Sequence, residues 1–393
     1  MTMLGRLIER VWQSPVFGDS YPSSAGYRAF SEKMHDVHSC FIDGFRPIVR
    51  DGLPELEPAQ IERLLGQLGP KTTAFCSSVA VEIEDVERLA TVSVVFGLLF
   101  LCDSLMDGGD LATVAAVHRL LEAHAPDLTI PAANNAKRLA SSVLLDELDA
   151  AKARSPDPAI VEARFRALAA TVGLLPRLSY PEDARVLLDS PVAGFLSHGS
   201  AMRQLSRRYL ESEGDAFWDA HADDLVAHSI GSIQTAGTVA VVYSLYRGAR
   251  PELPTIEQVL ANPAVAHLCE RLVDAAARIF DDVGDQDVDR SSGSRGWFDL
   301  NIFNHPDRRL VASYMRFVGM EDEGAIARAQ RDFELDDRAG DERIVELFVD
   351  VVRGGVAQLP AECWQHAGVF LMLCKRVVES GYVNTLGDAA LGE

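Results

Sequence analysis

Apolar residues recur at intervals of three and four along almost every long segment of this chain, and nowhere do they alternate over the length of a strand. Tyr27–Val49 sets Phe30, Met34, Val37, Phe41 and Phe45 on one face, and the spacing predicts a helix that stops before Asp51-Gly52. The same reading gives helices over 72–106, 111–124, 134–153, 159–175, 191–211, 217–246, 263–289, 307–318, 342–356 and 361–380. Turn-rich stretches at 154–158, 247–254 and 291–296 separate them. With no strand pattern and no fixed-period repeat, the chain is expected to be all-α. We expect a single domain over 1–393, with its core at about 26–380, helices packed around a cavity, and mobile ends.

The formal net charge is −21, which repels nucleic-acid backbones and anionic membrane surfaces, so neither is an expected partner. The most apolar run, Leu89–Cys102, is too short to span a bilayer, and Met1–Gln13 lacks the apolar core of a signal peptide. Cys40, Cys76, Cys102, Cys269, Cys363 and Cys374 show no CxxC spacing and mostly sit in apolar helical contexts. They are expected to be free, buried thiols in a reducing cytoplasm rather than a disulfide framework or a zinc site.

Two aspartate clusters stand out. Asp103 and Asp107 lie four apart, on one face of the last turn of an apolar helix, just before Gly108-Gly109. The negative end of the helix dipole and their mutual repulsion both disfavour that placement, each by a few tenths to about 1 kcal/mol, unless a cation neutralises it. Asp281, Asp285 and Asp289 form a second ladder at the end of another apolar helix, with no lysine among them. As oxygen donors they suit a hard octahedral ion such as Mg²⁺. A solvated acidic surface explains either cluster alone but explains the pair less well. An EF-hand loop fails on detail: Arg290 stands where that loop needs Gly, and Gly296 where it needs Glu.

These motifs resemble those of class I terpenoid synthases, in particular bacterial terpene cyclases. The family carries DDxxD on one helix and, in cyclases, NDxxSxxxE on a facing helix. Asp103-Ser104-Leu105-Met106-Asp107 is similar to the first, with Ser104 for the second Asp. Asp281-Asp282-Val283-Gly284-Asp285-Gln286-Asp287-Val288-Asp289 is similar to the second, with Asp at the Asn, Ser and Glu positions. The resemblance spans roughly 70 to 380 and implies a helical bundle around a central active-site cavity. It implies that Asp103 and Asp107 bind two Mg²⁺, and that Asp281, Asp285 and Asp289 bind a third, with Mn²⁺ as a substitute. The substrate it implies is a prenyl diphosphate, ionised and then cyclised to a terpene hydrocarbon or alcohol. It admits a homodimer. The family's diphosphate-sensing Arg and its C-terminal Arg-Tyr pair have no match here at their usual spacing.

Diphosphate recognition also needs donors, and the forked guanidinium supplies them. The candidates are Arg290, directly after the second motif, then Arg203, Arg207 and Arg208, and Lys375 with Arg376 on the last predicted helix. Phe75, Phe96, Phe100, Tyr243, Phe280, Trp364 and Phe370 are candidates for a cavity wall that stabilises a carbocation, although at helical spacing they also read as plain core. A generous apolar fraction with few aromatics favours a C20 over a C15 substrate. Two other readings stay open: a chain-elongating or squalene/phytoene-type coupling synthase, and a non-catalytic helical scaffold.

Overall fold

Pro47 and Pro70, each a natural helix stop, both lie inside long helices. The computed structural model describes residues 2–13, 24–54, 56–94, 96–97, 159, 215–233, 235–284, 301–304, 309–333 and 338–391. Of these, 86% are helical and none lies in a strand, which makes the described chain all-α. In order, the helices are α1 Met3–Gln13, α2 Ser24–Gly52, α3 Pro58–Val79, α4 at 86–94, α5 Asp215–Ile233 and α6 Thr235–Ala249. They continue as α7 Ile256–Leu260, α8 Pro263–His267, α9 Asp274–Gly284, α10 Arg309–Phe317, α11 Glu323–Phe333, α12 Arg338–Gln358 and α13 Ala361–Leu391. A π-helical segment, Leu268–Val273, joins α8 to α9, and a 3₁₀ turn occupies Ile302–Asn304. None of the helices among the described residues is long and apolar enough to cross a membrane. The chain divides into two compact units: Met1–Val192 with Gly237–Ile256, and Ala193–Ala236 with Glu257–Glu393.

In the first unit, α1, α2 and α3 pack against one another. α1, at the end expected to be mobile, buries Leu4, Leu7, Ile8 and Val11. Trp12 on α1 meets Tyr27 and Phe30 on α2 at ring distances of 5.5 and 5.6 Å. A proline in a helix interior costs about 3 kcal/mol. Around Pro47, α2 buries Phe41, Phe45, Ile48 and Val49, each worth about 1.5–3 kcal/mol, so packing outweighs the break. α2 therefore runs to Gly52 rather than stopping before Asp51. On α3, a Cβ at Gly69 would come within 2.9 Å of His38 Cε1 and 3.1 Å of Ile42 Cδ1 and Phe41 Cε1, so glycine here is what lets the two helices approach.

The helix expected over 72–106 is two helices. α3 begins earlier, with Pro58 in the first turn and the Glu57 N–H donating to Gln60 Oε1 at 2.8 Å. It ends at Ala80 (φ −114, ψ 38). Asp85 Oδ1 then accepts from the Arg88 N–H at 3.0 Å and starts α4 as a fresh helix. The stretch expected as one helix over 217–246 is helical at every described residue, as α5 and α6 with residue 234 between them outside the described residues, and the division between the units passes between Ala236 and Gly237. Within α6, the Tyr243 hydroxyl donates to the Pro254 carbonyl at 2.9 Å, and Tyr246 donates to Glu82 at 2.7 Å.

In the second unit, α9 packs against α5, α12 and α13. Asn262 caps α8 through the Ala264 and Val265 N–H groups at 3.0 and 3.4 Å. The Asp274 N–H donates to the Cys269 carbonyl, the wide spacing that defines the π segment. A Cβ at Gly355 on α12 would collide with Leu272 of that segment, so the π turn sits directly on a glycine. α11, absent from the sequence expectation, follows Gly319 (φ +90) and is tied to α10 by the fork of Arg316 on Glu323 at 3.0 and 3.1 Å.

The sulfur expectation holds for Cys76, Cys269, Cys363 and Cys374, which are free and buried, whereas Cys40 is free but exposed. Cys102 lies outside the described residues.

Candidate functional site

α9 turns Ala275, Ala276, Ile279 and Phe280 inward, and its 3.6-residue period then brings Arg278, Asp281 and Asp282 together at the far end. The guanidinium of Arg278 spans two neighbouring carboxylates. Its Nη1 donates to Asp281 Oδ2 at 3.0 Å, and its Nη2 lies 2.7 Å from Asp282 Oδ1. The side chains of Arg278, Asp281 and Asp282 are 12%, 41% and 0% exposed, so the fork has one buried tine and one that reaches solvent.

Asp282 is further fixed by the chain that returns past the end of α9. Its Oδ2 accepts from the Ile302 N–H at 3.0 Å, and its backbone carbonyl accepts from Asn301 Nδ2 at 2.5 Å. That carbonyl belongs to the last described turn of α9, so Asn301 ties the returning chain to the helix backbone there. Asn301 Oδ1 in turn accepts from the Phe303 N–H at 3.0 Å.

Tyr314 of α10 is fully buried beside Asp282, Arg278 and Ser229, and its ring meets Phe348 edge-on at 6.0 Å. Burial first, and then the Asp282 charge, push its phenol above the ordinary tyrosine value. Burial likewise pushes the Asp281 carboxyl up, while Arg278 pulls it back.

Of the five predicted metal ligands, Asp281 is described; Asp103, Asp107, Asp285 and Asp289 lie outside the described residues, as do Arg203, Arg207, Arg208, Arg290 and Phe100. Among the described residues, no three His, Cys, Asp or Glu side chains are grouped to hold a metal ion. Lys375 is exposed and Arg376 half-buried on α13, and each has interactions of its own.

Phe96 and Tyr243 are buried in the first unit, and Phe280 and Phe370 in the second. The backbone of Phe75 lies on α3. Trp364, a candidate for the cavity wall, is 39% exposed: α13 turns Cys363, Ala367, Phe370, Leu371 and Cys374 inward and leaves Trp364 one step off that face.

Sequence reasoning passed over Arg278, Asp282, Asn301 and Tyr314. The spacing of Arg278 three and four residues before the two aspartates was a readable signal for an intrahelical fork. Nothing in the spacing pointed to Asn301 or Tyr314.

The chain matches no protein-family model and no curated protein sequence. Among solved structures it is similar to a point mutant of the SVS_A2 protein from ancestral sequence reconstruction, with a TM-score of 0.48 and 15% identity over 88% of this chain and 82% of that one.

Proposed function

We propose that the chain is a class I terpene cyclase of the bacterial type, which uses Mg²⁺ to ionise an allylic prenyl diphosphate and cyclises the resulting cation. The observation that carries the reading is the divided fate of Asp281 and Asp282. Asp282 is consumed inside the protein, whereas Asp281, in the register of the second motif, keeps 41% of its side chain exposed at the end of an apolar helix. A part-exposed carboxylate in that position is the kind of hard oxygen donor that Mg²⁺ takes. Asp103 and Asp107 of the first motif, with Asp281, Asp285 and Asp289 of the second, would hold three Mg²⁺. The ions would supply neutralisation of the negative charge on the leaving diphosphate.

The chain's own groups do the rest. Arg290, with Arg203, Arg207, Arg208, Lys375 and Arg376 as further candidates, orients the diphosphate by charge-assisted hydrogen bonds. Apolar side chains fold the prenyl chain and keep water away until rings close. A C20 substrate is preferred over C15.

The test is product analysis with separate C10, C15, C20 and C25 diphosphates. A cyclic hydrocarbon or alcohol and Mg²⁺-dependent release of diphosphate are expected, with both lost in Asp103→Ala and Asp285→Ala. Full activity in both variants or in EDTA would overturn the proposal. A demand for isopentenyl diphosphate would move the chain to the elongating enzymes instead.

A further inference from the structure

The second unit brings two thiols together from elements far apart in the chain. Cys269 lies in the π segment and Cys374, 105 residues on, lies on α13. Their sulfurs stand 3.9 Å apart, the reach of a weak thiol hydrogen bond, and both residues are buried. Cys363, a third buried cysteine of this unit, is held elsewhere, with its Sγ 3.5 Å from Nδ2 of Asn262, the cap of α8. The backbone is irregular on both sides of the sulfur pair. Cys269 sits in a turn with the wide hydrogen-bond spacing, and α13 departs from helical geometry at Ala367 (φ −122, ψ 19), about two turns before Cys374.

We propose that Cys269 and Cys374 form an oxidation site, at which a small two-electron oxidant of the peroxide class makes an intrachain disulfide that staples the π segment to α13. A disulfide holds its sulfurs about 2 Å apart, so this pair must close by about 2 Å. The π segment already packs against α13, and closure needs side-chain rotation with a small backbone shift rather than a rearrangement of helices. The site is independent of the proposed cyclase activity.

In the first step one thiol loses its proton, and its sulfur attacks the peroxide O–O bond to give a sulfenic acid and one water. In the second, the other sulfur loses its proton and displaces the sulfenic hydroxyl, which leaves as a second water while the S–S bond forms. The two thiols give up two electrons and two protons, and the peroxide is reduced to two waters. With the second sulfur already in place, the sulfenic acid is captured before another peroxide can carry it to the sulfinic acid. Burial keeps bulky or charged reagents from the pair, whereas peroxide is small and uncharged and enters through local openings of the fold.

The test treats the native full-length protein with hydrogen peroxide, alkylates the remaining thiols after denaturation, and maps the cysteine peptides by mass spectrometry. The expected product is one linked pair of peptides carrying Cys269 and Cys374, lighter by two hydrogens, within a single chain on a non-reducing gel, and reversed by dithiothreitol. Because the link closes a long loop, the melting temperature should rise by roughly 5 °C and fall back on reduction. Cys374→Ala, checked by circular dichroism for its helices, should give neither the link nor the rise. The peptide map of the parent decides even if that variant does not fold. Cys269 and Cys374 both recovered alkylated, both taken singly to sulfinic acids, or linked to other cysteines would overturn the proposal. So would a linked protein that melts below the reduced one, since the staple would then disrupt the packing it is inferred to fit.

Discussion

The two units bury polar groups in contrasting ways. In the first, Thr72, Thr73, Ser77 and Ser93 are buried hydroxyls on helices; Thr72 donates to the Leu68 carbonyl at 2.8 Å and Ser93 to the Leu89 carbonyl at 3.0 Å, each back into its own helix. Its buried charge among the described residues is Arg247, directed at the Leu253 carbonyl at 3.4 Å. The second unit also buries hydroxyls, Ser229 and Ser313, but adds Asp274, Asp282 and Asn301, with Arg278 nearly enclosed. A hydroxyl satisfied by its own helix places no demand on the neighbouring one. A buried carboxylate needs a specific partner at a specific distance, and removing that partner is costly. The first unit is therefore specified by shape and the second by pairing as well.

The strongest way to break this contrast is Asp282→Ala, which leaves Arg278 with the part-exposed Asp281 as its carboxylate partner and removes the acceptor for the Ile302 N–H. Breaking a buried pair from one side costs about 3–5 kcal/mol, and urea unfolding should show a loss of that size. A loss under about 1 kcal/mol, the scale of a surface pair, would show that pairing does not specify the second unit. Next in size is Gly69→Ala in the first unit. Its Cβ would meet His38, Ile42 and Phe41 at 2.9–3.1 Å, and overpacking of this kind costs about 1–3 kcal/mol. A neutral result would mean that α2 and α3 have room to separate.

A smaller effect comes from His38, which burial holds below its ordinary value of 6.5 and whose Nδ1 lies 3.3 Å from Thr73 Oγ1. A depressed pKa means that the folded state binds this proton less readily than the unfolded chain. The contribution is intact above pH 6.5 and is lost as pH falls through the folded value. The melting temperature should fall more steeply below pH 6.5 in the parent than in His38→Gln, and parallel curves would remove His38 from the account. The smallest effect concerns thiols. Burial pushes Cys76 up to about 12, while Cys40 is exposed, so a disulfide reagent should label Cys40 in the native protein without a change in stability and should reach Cys76 only on unfolding.

Helical class was legible from periodicity alone, because the apolar positions at three-and-four spacing are the ones that end up buried: Phe30, Met34, Val37, Phe41 and Phe45 are all in the core. Helix limits were less legible. The helix expected to begin at 72 already includes the run Leu-Gly-Gln-Leu-Gly-Pro at 65–70, since the tight approach at Gly69 rewards a continuous helix. At the candidate site, the spacing of Asp281 was legible. The fate of Asp282 was not, because it is settled by Asn301 and Ile302, 19 and 20 residues away in a stretch with no periodic signal. The exposure of Trp364 was not legible because hydrophobicity gives no phase: a helix with a broad apolar stripe leaves one large side chain outside it.

The π turn at Leu268–Val273 works as a phase shifter. It admits one residue more than an α-helix would over the same length, and one residue of α-helix corresponds to about 100° of rotation. Every side chain downstream on α9 is thus turned relative to α8 by that extra step. Deleting one uncharged residue from this segment, such as Leu268 or Val273, would leave the net charge and the motif Asp281-Asp282-Val283-Gly284-Asp285 untouched while swinging Arg278 and both its carboxylates by about 100° around the helix axis. A sequence comparison scored on motif alone would count such a variant as intact, although the motif would face a different neighbour.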